Sequence, residues 1–532
     1  MSAVTTFKDI PINTSAEPRS RTDLPNLQSR LTEELVIALV GPVGSGCSTT
    51  GQAIGSILQI DYNYQVNTHV LSSFITQHAN LVQDEIEPNA TATSRITALQ
   101  RIGDRLRHAC GHGYLAAKAV EAIAKDRETD GFGRNADGGN IPLSRRRVHI
   151  IDSLKNPEEL KVLRDAYGRM LWVFGVFAPE SVRKVRLEHD QKWVRTDIQE
   201  IIDRDYREAH SYGQNVRDVF NEADFFVRND QDNQETLRVS LQRYLEILFG
   251  VPVHTPTRDE SAMAAAYAEG SKSACLSRQV GSAIASPQGE LIGLGRNDVP
   301  KYTGGLYGED DQTKDHRCFK WSGRCCHNDD KKSSLYKQIA DKLSAAGLLA
   351  SPALTNQVIE ELRKTDVRSL IEYSRAVHAE MDAIVSVARS NKTGLLGGTM
   401  YVTTFPCHAC ARHIVASGIV RVLYIEPYPK SLALDLHRDS VSDNEAEAQN
   451  KVVFLQYSGV APKNMLTFFS ARLTRKSDDG KLVEVDKRTA KPVVAVSLDD
   501  ISTHEQIVVA EYAQNERKAH GEQTTLFGSD AG

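Results

Sequence analysis

Two short groups of residues carry donors at spacings that suit metal chemistry. His378-Ala379-Glu380 opens a stretch, Met381 to Ala388, whose apolar positions recur at helical spacing, and Pro406-Cys407-His408-Ala409-Cys410 opens another. Cys407 and Cys410 are predicted one turn apart on a single helix face. A helix N-terminus favours thiolate over thiol, and proline suits a first helical position because it lacks the amide hydrogen that would be unpaired there. His378, Cys407 and Cys410 therefore suit Zn2+, leaving its fourth tetrahedral position for a water whose pKa the ion lowers. Glu380 is not needed as a ligand. Its predicted role is general acid–base: it takes a proton from the water, delivers it to the ring nitrogen beside the reacting carbon, and later protonates the departing amine. A lone CxxC serves equally as a structural zinc knuckle or a redox pair. A His-x-Glu helix start, then a strand, then Pro-Cys-x-x-Cys at a second helix start is instead the pattern for zinc-dependent hydrolytic deamination. His408 and His413 lie beside this pattern, but nothing in it requires them.

A second group lies near the other end. The apolar run Glu34 to Val40 is followed at once by Gly41-Pro42-Val43-Gly44-Ser45-Gly46-Cys47-Ser48. Gly41, Gly44, Ser45 and Gly46 allow successive backbone amides to turn toward a phosphate. Ser48 supplies a hydroxyl for Mg2+, and Asp152 ends a second buried strand where a magnesium-organising carboxylate is useful. Cys47 stands where such a loop ordinarily has lysine. A short neutral thiol does not neutralise phosphate charge, so binding of ATP or a dNTP is expected and phosphoryl transfer is not. Arg183, Lys184 and Arg186 are a candidate basic lid, although a solvated helix face explains them equally well.

These residues need elements to hold them, and 532 residues are too many for one core. Residues 1–25 are read as a tail, 26–250 as a first domain, 257–515 as a second with an insertion at 305–370, and 516–532 as a second tail. Val251-Pro252-Val253-His254-Thr255-Pro256-Thr257, with two prolines and no period, marks the boundary. In the first domain, strands at 34–40, 148–152 and 171–177 alternate with helical segments, which predicts an open parallel sheet covered on both faces. In the second, a helix through 263–271 precedes strands at 279–285, 290–295, 399–404 and 420–426. No internal repeat is present. Hydrophobic residues at 40% and charged residues at 25% are ordinary for a globular chain. A net charge of −5 argues against whole-molecule attraction to polynucleotide. No run approaches the ~18 apolar residues of a membrane span, so no membrane partner is expected and a cytoplasmic location is. Eight cysteines are too sparse for a disulfide scaffold, and Cys110 reads as a small buried hydrophobe.

Residues 258 to about 430 resemble the deoxycytidylate deaminase branch of the cytidine deaminase superfamily. The resemblance is carried by Arg278-Gln279-Val280-Gly281-Ser282-Ala283-Ile284, Gly295-Arg296-Asn297-Asp298, His378 to Ile384 and Thr403 to Cys410. It implies that Asn297 contacts the sugar and Tyr428 helps hold the nucleotide, with Arg278 and Lys430 as phosphate candidates. Asp298 stands where the family pattern has glycine, a departure that weighs against any inherited allosteric nucleotide site. The insertion resembles the place where some relatives carry a structural zinc, for which Cys275, Cys318, Cys325, Cys326, His316 and His327 are the available donors.

Residues 35–250 resemble the P-loop nucleotide kinases, through Ile151 to Glu158 and Ala223 to Asp230. The expected fold class is therefore α/β: an N-terminal kinase-like parallel-sheet domain followed by a C-terminal cytidine-deaminase-like α/β/α domain. The two together resemble the bacterial antiphage cytidine deaminases. That resemblance implies conversion of dCTP and dCMP to deoxyuridine nucleotides with release of ammonia, and dCTP depletion during phage infection. It also implies a homo-oligomer, with a hexamer as the candidate, and inhibition by a small RNA. Two rival readings are a deaminase of tRNA or single-stranded DNA, which needs a basic track with stacking aromatics, and a nucleotide sensor whose zinc is structural.

Overall fold

The computed structural model describes residues 31–526 except 89, 130, 135–139, 192–194, 207–209, 231–233, 429–430 and 472–473. The expected first tail and Lys430 lie outside the described residues.

Leu35–Val40 is a fully buried strand because both of its faces are covered. Val36, Ala38 and Val40 pack into one apolar cluster with Ile102, Leu115 and Leu163, while Leu35, Ile37 and Leu39 pack into another with Ile54, Leu58, Leu241 and Leu245. A strand buried on both sides reads as a continuous apolar run, which is what this one is. It lies within a six-stranded sheet of spatial order Gly459–Val460, Phe225–Arg228, Leu171–Phe177, Leu35–Val40, Arg147–Leu154 and Gln65–Val70. Every neighbouring pair is parallel except the first.

A second six-stranded sheet runs Leu291–Arg296, Gly281–Ala285, Thr399–Thr404, Arg421–Glu426, Val452–Gln456 and Val441–Ser442. The helix Arg258–Gly270 covers one face through Ala262, Met263 and Ala266. The helices Ala379–Arg389 and His408–Ala416 cover the other through Ala383, Val387, Ala411 and Ile414. The expected α/β class holds for both halves.

The C-terminal boundary departs from the expected 257–515 domain and 516–532 tail. Gly459–Val460 is an edge strand of the N-terminal sheet, and Leu31–Thr32 pairs antiparallel with Val496–Ser497. The helix Leu498–Leu526 runs through residue 516 and lies on helices Ala92–Cys110, Tyr114–Thr129 and Pro157–Tyr167. Burial is the physical reason: Leu498, Ile501 and Val508 enter the N-terminal core. Glu505 pairs with the buried Arg127, which also holds Glu34 at 2.7 Å. The chain thus returns to its first half after completing its second.

Candidate active site

The helix Ala379–Arg389 is brought against strand Leu291–Arg296 at a distance only glycine allows. A Cβ on Gly295 would lie 2.2 Å from Ala383 N and 2.3 Å from Ala379 O. That contact fixes the helix start, where His378 is the N-cap and its carbonyl accepts from Asp382 N at 2.9 Å. The parallel strands Thr399–Thr404 and Arg421–Glu426 aim the following turn at the same point. Cys407 is the N-cap of helix His408–Ala416, with Cys410 in its first turn. Pro406 therefore precedes the cap instead of occupying the first helical position, because the cap itself is the cysteine.

His378 Nδ1 lies 3.4 Å from Cys407 Sγ and 3.4 Å from Cys410 Sγ. Ligands of a tetrahedral zinc with ordinary Zn–N and Zn–S bonds are separated by about 3.5 Å, so the donor set and spacing fit that ion. The charges agree. A hydrogen bond to Cys407 raises His378 to about 9. Donation from Cys410, followed by His378, holds Cys407 well below the usual thiol range, while the shared proton pushes Cys410 up. One imidazolium here balances one thiolate, the counter-charge role a bound dication takes over. Glu380, two residues on, is 4% exposed, and burial raises its carboxyl above the ordinary range. A carboxyl that readily holds a proton in a dry site suits proton transfer.

His378, Glu380 and Cys407 line a cavity of about 280 Å³ together with Arg278, Asn297, Thr404, Phe405 and Tyr428. Asn297 accepts from Val280 N at 2.7 Å and donates to Arg278 O at 2.8 Å, so its amide braces the loop that carries Arg278. Arg278 sits over the Tyr428 ring, 6.0 Å from its centroid, and pairs with Glu426 at 2.8 Å. Glu426 also accepts from Thr404 Oγ1 at 3.2 Å. Sequence reasoning missed Glu426, whose position at a strand end beside Pro427-Tyr428 was its only local signal. Asp298 accepts from Ala274 N and Val299 N and is buried, a structural acceptor beneath the insertion.

The expected structural-zinc donors are only partly gathered. Cys275, Cys318, Cys326 and His327 line the same cavity. Among the described residues, however, no three of the six donors fall within 4.8 Å of one another. His316 and His327 flank the Trp321 ring, each stacked against it. His408 accepts through its backbone oxygen from His437, outside the ligand set.

The glycine-rich loop joins Leu35–Val40 to helix Cys47–Tyr62. Gly44 and Gly46 have φ of 79° and 87°, the left-handed conformation glycine supplies without strain. Ser48 Oγ donates to Asp152 at 2.5 Å, uniting the expected magnesium pair. Cys47 is buried, and its thiol is pushed up to about 12 by desolvation. The sequence reading missed Lys155, whose Nζ donates to Gly41 O at 3.0 Å and pairs with Asp205 at 2.8 Å. Asp205 in turn accepts from Val43 N at 2.7 Å. Arg183 is buried, donating to Val43 O and Ala178 O, so it braces the loop and is no solvated lid. Lys184 pairs with Glu180, and Arg186 donates to Asn229 O.

Residues 256–426 match the family model described as the cytidine and deoxycytidylate deaminase zinc-binding region. The deoxycytidylate deaminase of Enterobacteria phage T2 is 47% identical over 55 residues, 10% of this chain and 29% of that protein. That of Mycobacterium phage D29 is 51% identical over 49 residues, 9% of this chain and 36% of that protein. The matched segments thus span about a third of the relatives' own length. Among solved structures, the dCMP deaminase from cyanophage S-TIM5 in complex with dCMP and dUMP aligns at a TM-score of 0.22 and 18% identity, covering 38% of this chain and 99% of that one. Shikimate kinase from Acinetobacter baumannii aligns at a TM-score of 0.25 and 13% identity, covering 41% and 96%. The segment that matches the cytidine and deoxycytidylate deaminase zinc-binding model is the one that gathers His378, Cys407 and Cys410, with Glu380 lining the cavity beside them.

Proposed function

We propose that the chain catalyses hydrolytic deamination of free deoxycytidine nucleotides, dCMP or dCTP, to the deoxyuridine nucleotides. The observation that carries this reading is the buried Glu380 carboxyl beside the His378–Cys407–Cys410 donor set, in a cavity whose rim holds Arg278 and Tyr428. Those three donors would hold Zn2+, which when bound supplies Lewis-acid activation of water. Glu380 takes a proton from the attacking water and places it on N3 of the ring as the C4–O bond forms. It then moves the second water proton to the amino nitrogen, the C4–N bond breaks, and ammonia leaves a C4 carbonyl. Phe405 and Tyr428 wall the cavity against bulk water, and Arg278 offers a guanidinium for the nucleotide phosphate.

The joining of this half to a phosphate-loop half, as in the antiphage deaminases resembled above, supports dCTP depletion during phage infection as the biological role. Incubating the protein with dCMP, dCTP and a cytosine oligonucleotide while measuring ammonia and uracil tests the reading. Release from the free nucleotides is expected; release from the oligonucleotide alone overturns it. Plaque counts with and without the Glu380→Gln variant test the role.

A further inference from the structure

We propose that His69, His149 and Asp126 form a divalent transition-metal site in the N-terminal half, with Zn2+ as the ion it suits. Strands Gln65–Val70 and Arg147–Leu154 are parallel neighbours with Asn67 opposite His149, so His69 lies diagonally, two residues on, on the same face. Helix Tyr114–Thr129 contributes Asp126 above that face. His69 Nε2 and His149 Nδ1 are 3.1 Å apart. Asp126 Oδ2 is 3.7 Å from the first and 3.8 Å from the second.

At those distances the carboxylate is beyond hydrogen-bond reach of either ring. They are nevertheless close to the ~3.3 Å that separates ligands around a tetrahedral ion with bonds of about 2.0–2.1 Å. Asn67 Nδ2 donates to the same carboxylate oxygen at 2.9 Å, orienting it as an outer-shell partner does. Two imidazoles and one carboxylate select zinc-like ions over Mg2+ or Ca2+, which take oxygen donors.

The surroundings agree with this. Both rings are buried, and burial lowers the pKa of each, against the Asp126 carboxylate for His69 and further through Arg127, His69 and Arg147 for His149, a direction that favours the neutral form that ligates. The nearby Arg127 and Arg147 do not leave net positive charge against a cation, because Glu34 lies 2.7 Å from one and 3.3 Å from the other and Glu505 pairs with Arg127. Asp126 is half-exposed, giving an ion a path in from solvent. An ion here would tie the edge strand Gln65–Val70 to the helix above it.

The test uses the full chain carrying Cys407→Ser to disable the deaminase-site ligand set. The protein is stripped, reloaded with Zn2+, dialysed, and its metal content measured by mass spectrometry. Asp126→Ala and His69→Gln, each added to that background, are expected to lower bound zinc by one equivalent, with the circular dichroism of the parent. Because Asp126 is half-exposed, its variant keeps the fold if the buried His69→Gln does not. Equal zinc content in the background and the folded Asp126→Ala variant overturns the proposal and leaves an ordinary imidazole–imidazole hydrogen bond. That result leaves the deamination reading standing, since the two sites share no residue.

Discussion

Arg278, which lines the cavity, pairs with Glu426, guanidinium Nη1 to carboxylate Oε1 at 2.8 Å. Arg217, from the N-terminal half, reaches the same oxygen at 3.8 Å. Glu426 thus stands between a candidate phosphate-binding residue and the other half of the molecule. The Arg278 and Glu426 side chains are 38% and 19% exposed, so their pair contributes about 1 kcal/mol or less and can exchange for a stronger partner. A nucleotide phosphate is such a partner.

If phosphate displaces Glu426, Arg278→Ala removes a charge-assisted bond of about 1.5–3 kcal/mol, or roughly ten- to a hundredfold in KM. Glu426→Gln is expected to act oppositely, lowering KM a few-fold, because the guanidinium loses its internal anion. Steady-state kinetics on dCMP and dCTP check both. Equal KM in all three proteins would assign phosphate recognition elsewhere.

Glu380→Gln retains the size and buried position of the side chain but cannot cycle a proton. Turnover should fall by about 10²–10⁴-fold, the span of general acid–base contributions, with zinc content unchanged. Chelation of the wild-type metal should abolish turnover, and added Zn2+ should restore it. The same addition should not rescue the Gln variant. Separating metal loss from proton-transfer loss in this way distinguishes Glu380 from a ligand.

The close approach at Gly295 makes a backbone position critical to chemistry it never touches. A methyl there would meet Ala383 N at 2.2 Å, and main-chain atoms cannot swing aside as a side chain can. Gly295→Ala should cost about 1–3 kcal/mol of stability through overpacking. It should also lower turnover more than tenfold, because the helix bearing Glu380 must shift. Leu294→Ala, at an exposed neighbour on the same strand, is the control and should leave both within error. Thermal melts and turnover on the two variants decide it.

The contrast between these residues and the candidate metal-binding cluster shows what a linear sequence conveys. His378, Glu380, Cys407 and Cys410 were legible because each pair sits inside one helix start, where spacing alone fixes geometry. Leu171–Phe177 and Thr399–Thr404 were legible to the residue, as short apolar or alternating runs with clear ends. Gln65–Val70 was missed because a polar edge strand carries no such run. The helix Leu498–Leu526 was read as the end of the second domain over residues 498–515 and as part of a tail beyond them. Its apolar positions say that it packs, but not upon what. Glu426, Lys155 and Asp205 take their roles from partners distant in sequence, information no local pattern contains.

Lys155 and Asp205 give the glycine-rich loop its most testable property. Cys47 holds the usual lysine position and is buried as a neutral thiol, yet Lys155 brings an ammonium to Gly41 O from the end of the neighbouring strand. Asp205 occupies Val43 N–H, an amide of the kind that such loops present to phosphate, and neutralises Lys155. An incoming phosphate must therefore compete with an internal carboxylate, while a lysine stands ready once that carboxylate leaves. Asp205→Asn should tighten ATP or dNTP binding severalfold, whereas Lys155→Ala should weaken it about tenfold, the loss of one charge-assisted contact. Calorimetric titration of the three proteins with ATP and dCTP in Mg2+ measures both effects. Affinities that move together, or none at all in the Asp205→Asn protein, would mean that Asp205 and Lys155 brace the loop without guarding a phosphate site.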